Sequence, residues 1–165
     1  MHCTEATSNC VLQSLLQAHE NGCHWDASTC MAAAQFGHLE CLRYAHENRC
    51  SWNINTCNAA AMNGQLDCLA YAHEHGCRWN QKTSAHAAGK GHLQCLMYAH
   101  ERGCPWDRET CRMAAGGGHI ECLRYAHEHG CHWDCWTCSG RLLLLRWQDL
   151  FDSKQNRRLV NKSFS

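Results

Sequence analysis

The sequence predicts an all-α solenoid of stacked two-helix units, and three observations lead there. Trp25, Trp52, Trp79, Trp106 and Trp133 recur every 27 residues, and Tyr44, Tyr71, Tyr98 and Tyr125 keep the same step, as do the Ala-His-Glu triplets beginning at Ala18, Ala45, Ala72, Ala99 and Ala126. A fixed period of this kind marks a repeat architecture. Within each period, apolar residues fall three and four apart in two short runs, the spacing of a helix face, and capping residues bracket the runs. Helices of about ten residues are marginal alone, because nucleation is costly and an isolated pair buries little. The units must therefore stack.

Taken in chain order, residues 1–17 keep only traces of the pattern, with Cys3, Ala6, Leu12 and Leu15 in phase, and are expected to form a degenerate N-terminal cap. Residues 18–138 are the solenoid. In each unit Asp26, Asn53, Asn80, Asp107 or Asp134 occupies an N-cap position, where a side-chain oxygen accepts a backbone N–H that the first turn leaves unpaired. The preceding tryptophan then stands at N′, with Cys30, Cys57, Ser84, Cys111 or Cys138 at N4, the spacing of a hydrophobic staple. The first helix is expected to run to about Phe36 and to end at Gly37, Gly64, Gly91 and Gly118, since glycine adopts the left-handed conformation that closes helices. A second helix follows from about Leu39 to Asn48, with Leu39, Cys41, Leu42, Ala45 and His46 on its inner face. Gly22, Gly76, Gly103 and Gly130 close it, with Arg49 in one copy. Paired alanines such as Ala33 and Ala34 let the helices approach closely. Its histidine falls in the last turn, where the helix dipole favours the charged form. The pattern stops after Cys138. Residues 139–165 are expected to be either a capping helix, with Leu143, Trp147, Leu150 and Phe151 on one face, or a flexible basic tail carrying six basic and two acidic residues from Arg141 onward.

The run Thr-Cys, two residues, Ala-Ala, two residues, Gly-His-Leu-Glu, then Tyr-Ala-His-Glu-x-Gly-Cys resembles the ankyrin repeat. The likeness covers Ser28 to Cys138. Two features depart from that family's pattern: the period is 27 against about 33, and Thr-Cys replaces the usual Thr-Pro-Leu-His opening. The missing stretch, about six residues between Asp26 and Thr29, is where ankyrin repeats carry their β-hairpin finger. The resemblance implies a fingerless ankyrin-like stack whose first helices line a concave side.

Composition narrows the function classes. The chain has 165 residues, 15 basic against 15 acidic, 14 histidines and 16 cysteines. Balanced charge argues against binding to nucleic acid or an anionic membrane, both of which favour a basic surplus. The longest uninterrupted apolar run, Leu142 to Leu145, is far shorter than the roughly 20 residues a membrane helix needs. No secretory leader is recognisable before Gln17, so the expectation is a protein of a reducing, cytoplasmic compartment with its cysteines as thiols. The sparse basic cluster from Lys154 to Lys162 leaves a nuclear location open.

Positions that repeat from copy to copy are those every unit reuses to stack; positions that differ are available to a partner. The differing residues sit on the first helix. Met31 and Gln35, Asn58 and Met62, Lys82 and His86, and Arg108, Arg112 and Met113 are accordingly the candidate partner-binding residues, and the expected function is a protein-interaction scaffold with another protein as its partner. The alternative is a zinc-binding or thiol-redox protein. His19 with Cys23, or His38 with Cys41, has helical ligand spacing, and Cys135-Trp136-Thr137-Cys138 is a Cys-x-x-Cys at a helix start. Against it, no complete repeat holds a Cys-x-x-Cys pair and Ser84 replaces one cysteine of the column. No catalytic group, metal or cofactor is assigned, and a pair such as Ala-His-Glu that recurs five times has no single special environment in which to act as an enzyme's acid or base.

Overall fold

The computed structural model describes residues 12–131. Trp133, the Cys135–Cys138 motif, the expected C-terminal cap or tail and residues 1–11 of the expected N-terminal cap lie outside the described residues. Nine helices are described: α1 Leu12–Glu20, α2 Ala27–Phe36, α3 Leu39–Glu47, α4 Ile54–Met62, α5 Leu66–Glu74, α6 Gln81–Gly89, α7 Leu93–Glu101, α8 Arg108–Gly116 and α9 Ile120–Glu128. Among the described residues no strand is longer than the single bridging residue His24, so the connection between units carries no hairpin finger.

Each first helix begins as the sequence dictates. Asp26, Asn53, Asn80 and Asp107 are extended, and their side chains accept from Ser28, Asn55, Lys82 and Glu109 N–H at 2.8, 2.9, 3.0 and 2.9 Å. The threonines three residues on are buried. Thr29 and Thr83 return the bond by accepting from the backbone N–H of Asp26 and Asn80, which completes a capping box in those units.

Two glycines show why the first helix must end where it does. Gly64 and Gly91 have φ of +72° and +78°, and a Cβ on either would fall 2.5 Å from the ring of His92 or His119, the residue that opens the second helix of the following unit. Both the left-handed turn and the close approach exclude a side chain. The second helix ends in the same left-handed turn: Cys50 and Cys77 N–H reach back to Ala45 and Ala72 carbonyls, both at 2.9 Å. Here the unit with Arg49 departs from its neighbours, for Arg49 is the one described non-glycine residue with positive φ, at 63°. A side chain in that conformation costs about 1 kcal/mol. Arg49→Gly is expected to raise stability by about that amount, a shift of a few degrees in Tm followed by circular dichroism; a lower Tm would show that the arginine side chain contributes more than its backbone costs.

The helices form two layers. First helices α2, α4, α6 and α8 lie side by side, and α1, α3, α5, α7 and α9 form a parallel row behind them. Between the layers run the repeated residues: Leu15, Leu42, Leu69, Leu96 and Leu123, the alanines Ala33, Ala34, Ala60, Ala61, Ala87 and Ala88, and the cysteine columns, all buried except the half-buried Cys23. With alanine at their contacts the first helices approach one another more closely than the second helices do.

Candidate functional site

The tryptophans pack against the core and also make a contact that staple spacing does not encode. Trp25, Trp52, Trp79 and Trp106 stack face to face on the histidine six residues before each, His19, His46, His73 and His100, with centroids 3.5–3.9 Å apart. The tyrosine of the following unit closes over the pair edge-on, and Tyr44, Tyr71 and Tyr125 place their hydroxyls 3.0, 3.1 and 2.9 Å from Nδ1 of His19, His46 and His100. In the third unit Tyr98 instead donates to Glu74 at 3.4 Å. Burial against tryptophan pushes His46, His73 and His100 below the ordinary imidazole pKa, so desolvation overrides the helix dipole and these rings are held neutral. The stacks join consecutive units and are structural.

The cysteine columns are also interior. Cys50, Cys77, Cys104 and Cys131 direct their thiols to the carbonyl oxygens of the N-cap residues Asp26, Asn53, Asn80 and Asp107 at 3.1–3.3 Å. Cys30 lies against Cys50 and Cys57 against Cys77; this hydrogen bond, with burial, raises Cys30 and Cys57. Ser84 fits the same place, donating to Cys104 Sγ at 3.3 Å and to the Pro105 carbonyl at 3.2 Å, which is why the column accepts serine. In the second helices burial lifts Cys68 to about 12 and Cys95 and Cys122 to about 11. These raised thiols are almost wholly protonated at neutral pH and poor nucleophiles, while the hydrogen bond from Cys30, Cys57 or Cys111 lowers its partner Cys50, Cys77 or Cys131. The twelve described cysteines are all outside disulfides. Among the described residues no three His, Cys, Asp or Glu side chains converge as a metal site.

The side chains that vary between units meet elsewhere, on the open face of the first-helix layer. A groove of about 690 Å³ crosses α2, α4, α6 and α8 there. Of the residues expected at a binding face, Met31, Gln35, Asn58, Met62, Lys82, His86 and Met113 line it, while Arg108 and Arg112 stand exposed outside its lining. Arg112 is engaged with Glu109, whose carboxyl this hydrogen bond holds below the usual range. Asn55, Ala59, Asn63, Ala85 and Glu109 complete the wall. They occupy the same variable columns, so their signal was present in the alignment of the repeats. Gly89 on α6 makes room for Met113, whose Cε would lie 2.9 Å from a Cβ at that position.

Asn58 has a structural task besides its place in the groove. It is 9% exposed, and its Oδ1 accepts from Thr83 Oγ1 at 2.7 Å, tying α4 to α6. The equivalent partners of Thr56 and Thr110 are Met31 and Ala85, which cannot accept such a bond, and both threonine hydroxyls are buried without one. Asn58→Ala is expected to cost about 1–3 kcal/mol in chemical denaturation by orphaning Thr83, where Gln35→Ala, half-buried at the groove, should cost under about 0.5 kcal/mol. Equal effects would show that the bond does not support the stack.

A family profile described as ankyrin repeats (many copies) matches residues 30–73. The matched stretch thus carries ankyrin repeats, in an all-helical, 27-residue form of the unit. The fold is similar to that in the crystal structure of the human ASB11 ankyrin repeat domain, with a TM-score of 0.68 and 16% sequence identity, over 79% of this chain and 69% of that one. No curated protein matches the sequence. Ankyrin repeats are generally scaffolds for protein interaction and typically not enzymes. Among the described residues no helix is long and apolar enough to cross a membrane.

Proposed function

We propose that this protein is an interaction scaffold that receives a segment of another protein in the groove across α2, α4, α6 and α8. The observation that supports this reading is the separation of the two residue sets. What repeats is packed between the layers, and what varies lines one open concavity. A partner would be read there by shape and side-chain chemistry, with no reaction performed on it. Met62, 41% exposed, shares the groove lining with Met31 and Met113, a grouped apolar surface of the kind that partners cover.

The test is quantitative binding after cross-linked affinity capture has identified a partner. The combined variant Met31→Ala, Met62→Ala, Lys82→Ala and Met113→Ala is expected to weaken binding at least about tenfold, since a few central contacts dominate most interfaces, while leaving helical content intact. The pair Arg43→Ala and Arg124→Ala, on the second-helix layer, should bind as the parent does. Undiminished binding by the groove variant, or loss only in the second-layer variant, refutes this use of the first-helix face.

A further inference from the structure

Charge is divided between the two layers. The first helices α2, α4, α6 and α8 with their C-cap residues carry four basic residues, Lys82, Lys90, Arg108 and Arg112, against one acidic residue, Glu109. The five second helices with the turns that close them reverse the sign, with eight acidic residues against Arg43, Arg49, Arg102 and Arg124. With the N-cap carboxylates of Asp26 and Asp107 included, the first-helix layer carries four basic against three acidic residues, and within it α6 with its caps holds Lys82 and Lys90 and no acidic residue. Among the described residues the second-helix layer is therefore net anionic, and the first-helix layer is cationic around α6.

On the cationic side the charge remains available. Lys82 and Lys90 have no carboxylate at ion-pair distance among the described residues, and the groove's own carboxylate, Glu109, is bound by Arg112. Lys82, His86 and Lys90 follow one another at four-residue steps on α6, so they share one helix face. Burial first, then these two lysines, lower the pKa of His86. The buried Nδ1 of His86 has no hydrogen-bond partner. Beside this cluster the groove is lined by thioethers, which adapt to apolar groups of many shapes.

Building on the groove reading, we propose that the occupant is an acidic segment of a partner protein, its carboxylates at Lys82, His86 and Lys90 and an apolar side chain among Met31, Met62 and Met113. A carboxylate would give Lys82 and Lys90 the counter-charge that the described residues do not provide. Opposite potentials of this kind set specificity and association rate, so the interaction should weaken as salt rises. An apolar anchor accounts for the exposed Met62, which a purely ionic ligand would leave uncovered.

The probe is a library of random peptides of about twelve residues displayed on phage and selected on the full chain, with the enriched peptides synthesised, labelled and titrated by fluorescence polarisation. The expected result is enrichment in Asp and Glu together with one large apolar residue. Affinity should fall at least about tenfold in the charge-reversed variant Lys82→Glu with Lys90→Glu, and likewise in the groove-filling variant Ala59→Trp, both checked for parental helix content. Selection on the charge-reversed protein should turn to peptides rich in Lys and Arg. Enriched peptides that are neutral and indifferent to charge reversal, yet blocked by Ala59→Trp, would overturn the acidic assignment and leave the groove reading standing. Peptides indifferent to both variants, or no enrichment, would overturn both. Displacement of the bound peptide by a single-stranded oligonucleotide at equal salt would show the cationic face to be a general anion surface and would overturn the assignment to a peptide.

Discussion

Leu69→Ala is expected to cost about 2–5 kcal/mol, against a total stability of about 5–15 kcal/mol for a domain of ordinary size. The reason lies in how thin each layer of the stack is. Leu69 is wholly buried in α5, between α3 and α7, in a column with Leu15, Leu42, Leu96 and Leu123. The core cluster to which it belongs is mostly alanine and cysteine, whose side chains are too short to swing into the space a leucine leaves, so the cavity is expected to stay open. In a stack each unit contacts only its neighbours, and a weakened middle unit loosens two interfaces at once. Urea denaturation followed by circular dichroism should show a large drop in midpoint for Leu69→Ala. If the two halves separate, a smaller m-value would accompany it, because less surface is exposed in each step. Met62→Ala, at an exposed position on the preceding helix, should move the midpoint little. A cost below about 1 kcal/mol at Leu69 would mean that the core can collapse around the deletion after all.

Local chemistry was legible in the sequence and cross-unit chemistry only in part. The N-caps at Asp26, Asn53, Asn80 and Asp107 and the helix ends at Gly37, Gly64 and Gly91 depend on atoms within a few residues, and the structure has them where spacing placed them. The same local rule pairs Trp25 with Cys30 as a staple, but it does not reveal that the Trp25 ring stacks on His19 or that Cys30 lies against Cys50. The signal was available, since His, Trp and Tyr recur in one phase, but a three-ring contact spanning two units is not encoded in four-residue spacing. The groove follows the same division. Repeat comparison identifies the variable columns, and these converge across four helices. It does not distinguish a side chain at the rim from one wedged between helices, which is how Asn58 came to combine a place in the groove with a bond to Thr83.

Lowering the pH from about 7.5 to about 5.5 is expected to destabilise the protein progressively, and the histidine stacks supply the cause. His46, His73 and His100, together with His38 and His86, have folded-state pKa values below the ordinary 6.5, in each case with burial as the largest influence. When the folded pKa is depressed, the unfolded chain binds more protons as the solution turns acid. The stability these rings contribute is therefore complete above pH 6.5 and is lost as pH falls toward and through their folded values. The neighbours of His46 and His100 act in both directions: His75 and His129 oppose a further positive charge, while Glu47 and Glu101 favour it, and in each case desolvation outweighs the carboxylate. For His73 the opposed pair is Arg102 and Glu74. Urea midpoints measured at intervals across this range should fall steadily below pH 6.5. His100→Phe, which keeps a ring on Trp106 but cannot take a proton, should flatten that fall while losing the bond to Tyr125. A midpoint independent of pH would mean that the imidazoles are protonated as easily within the stack as in water. A stability that rose on acidification would mean that the helix dipole, and not burial against tryptophan, governs these histidines.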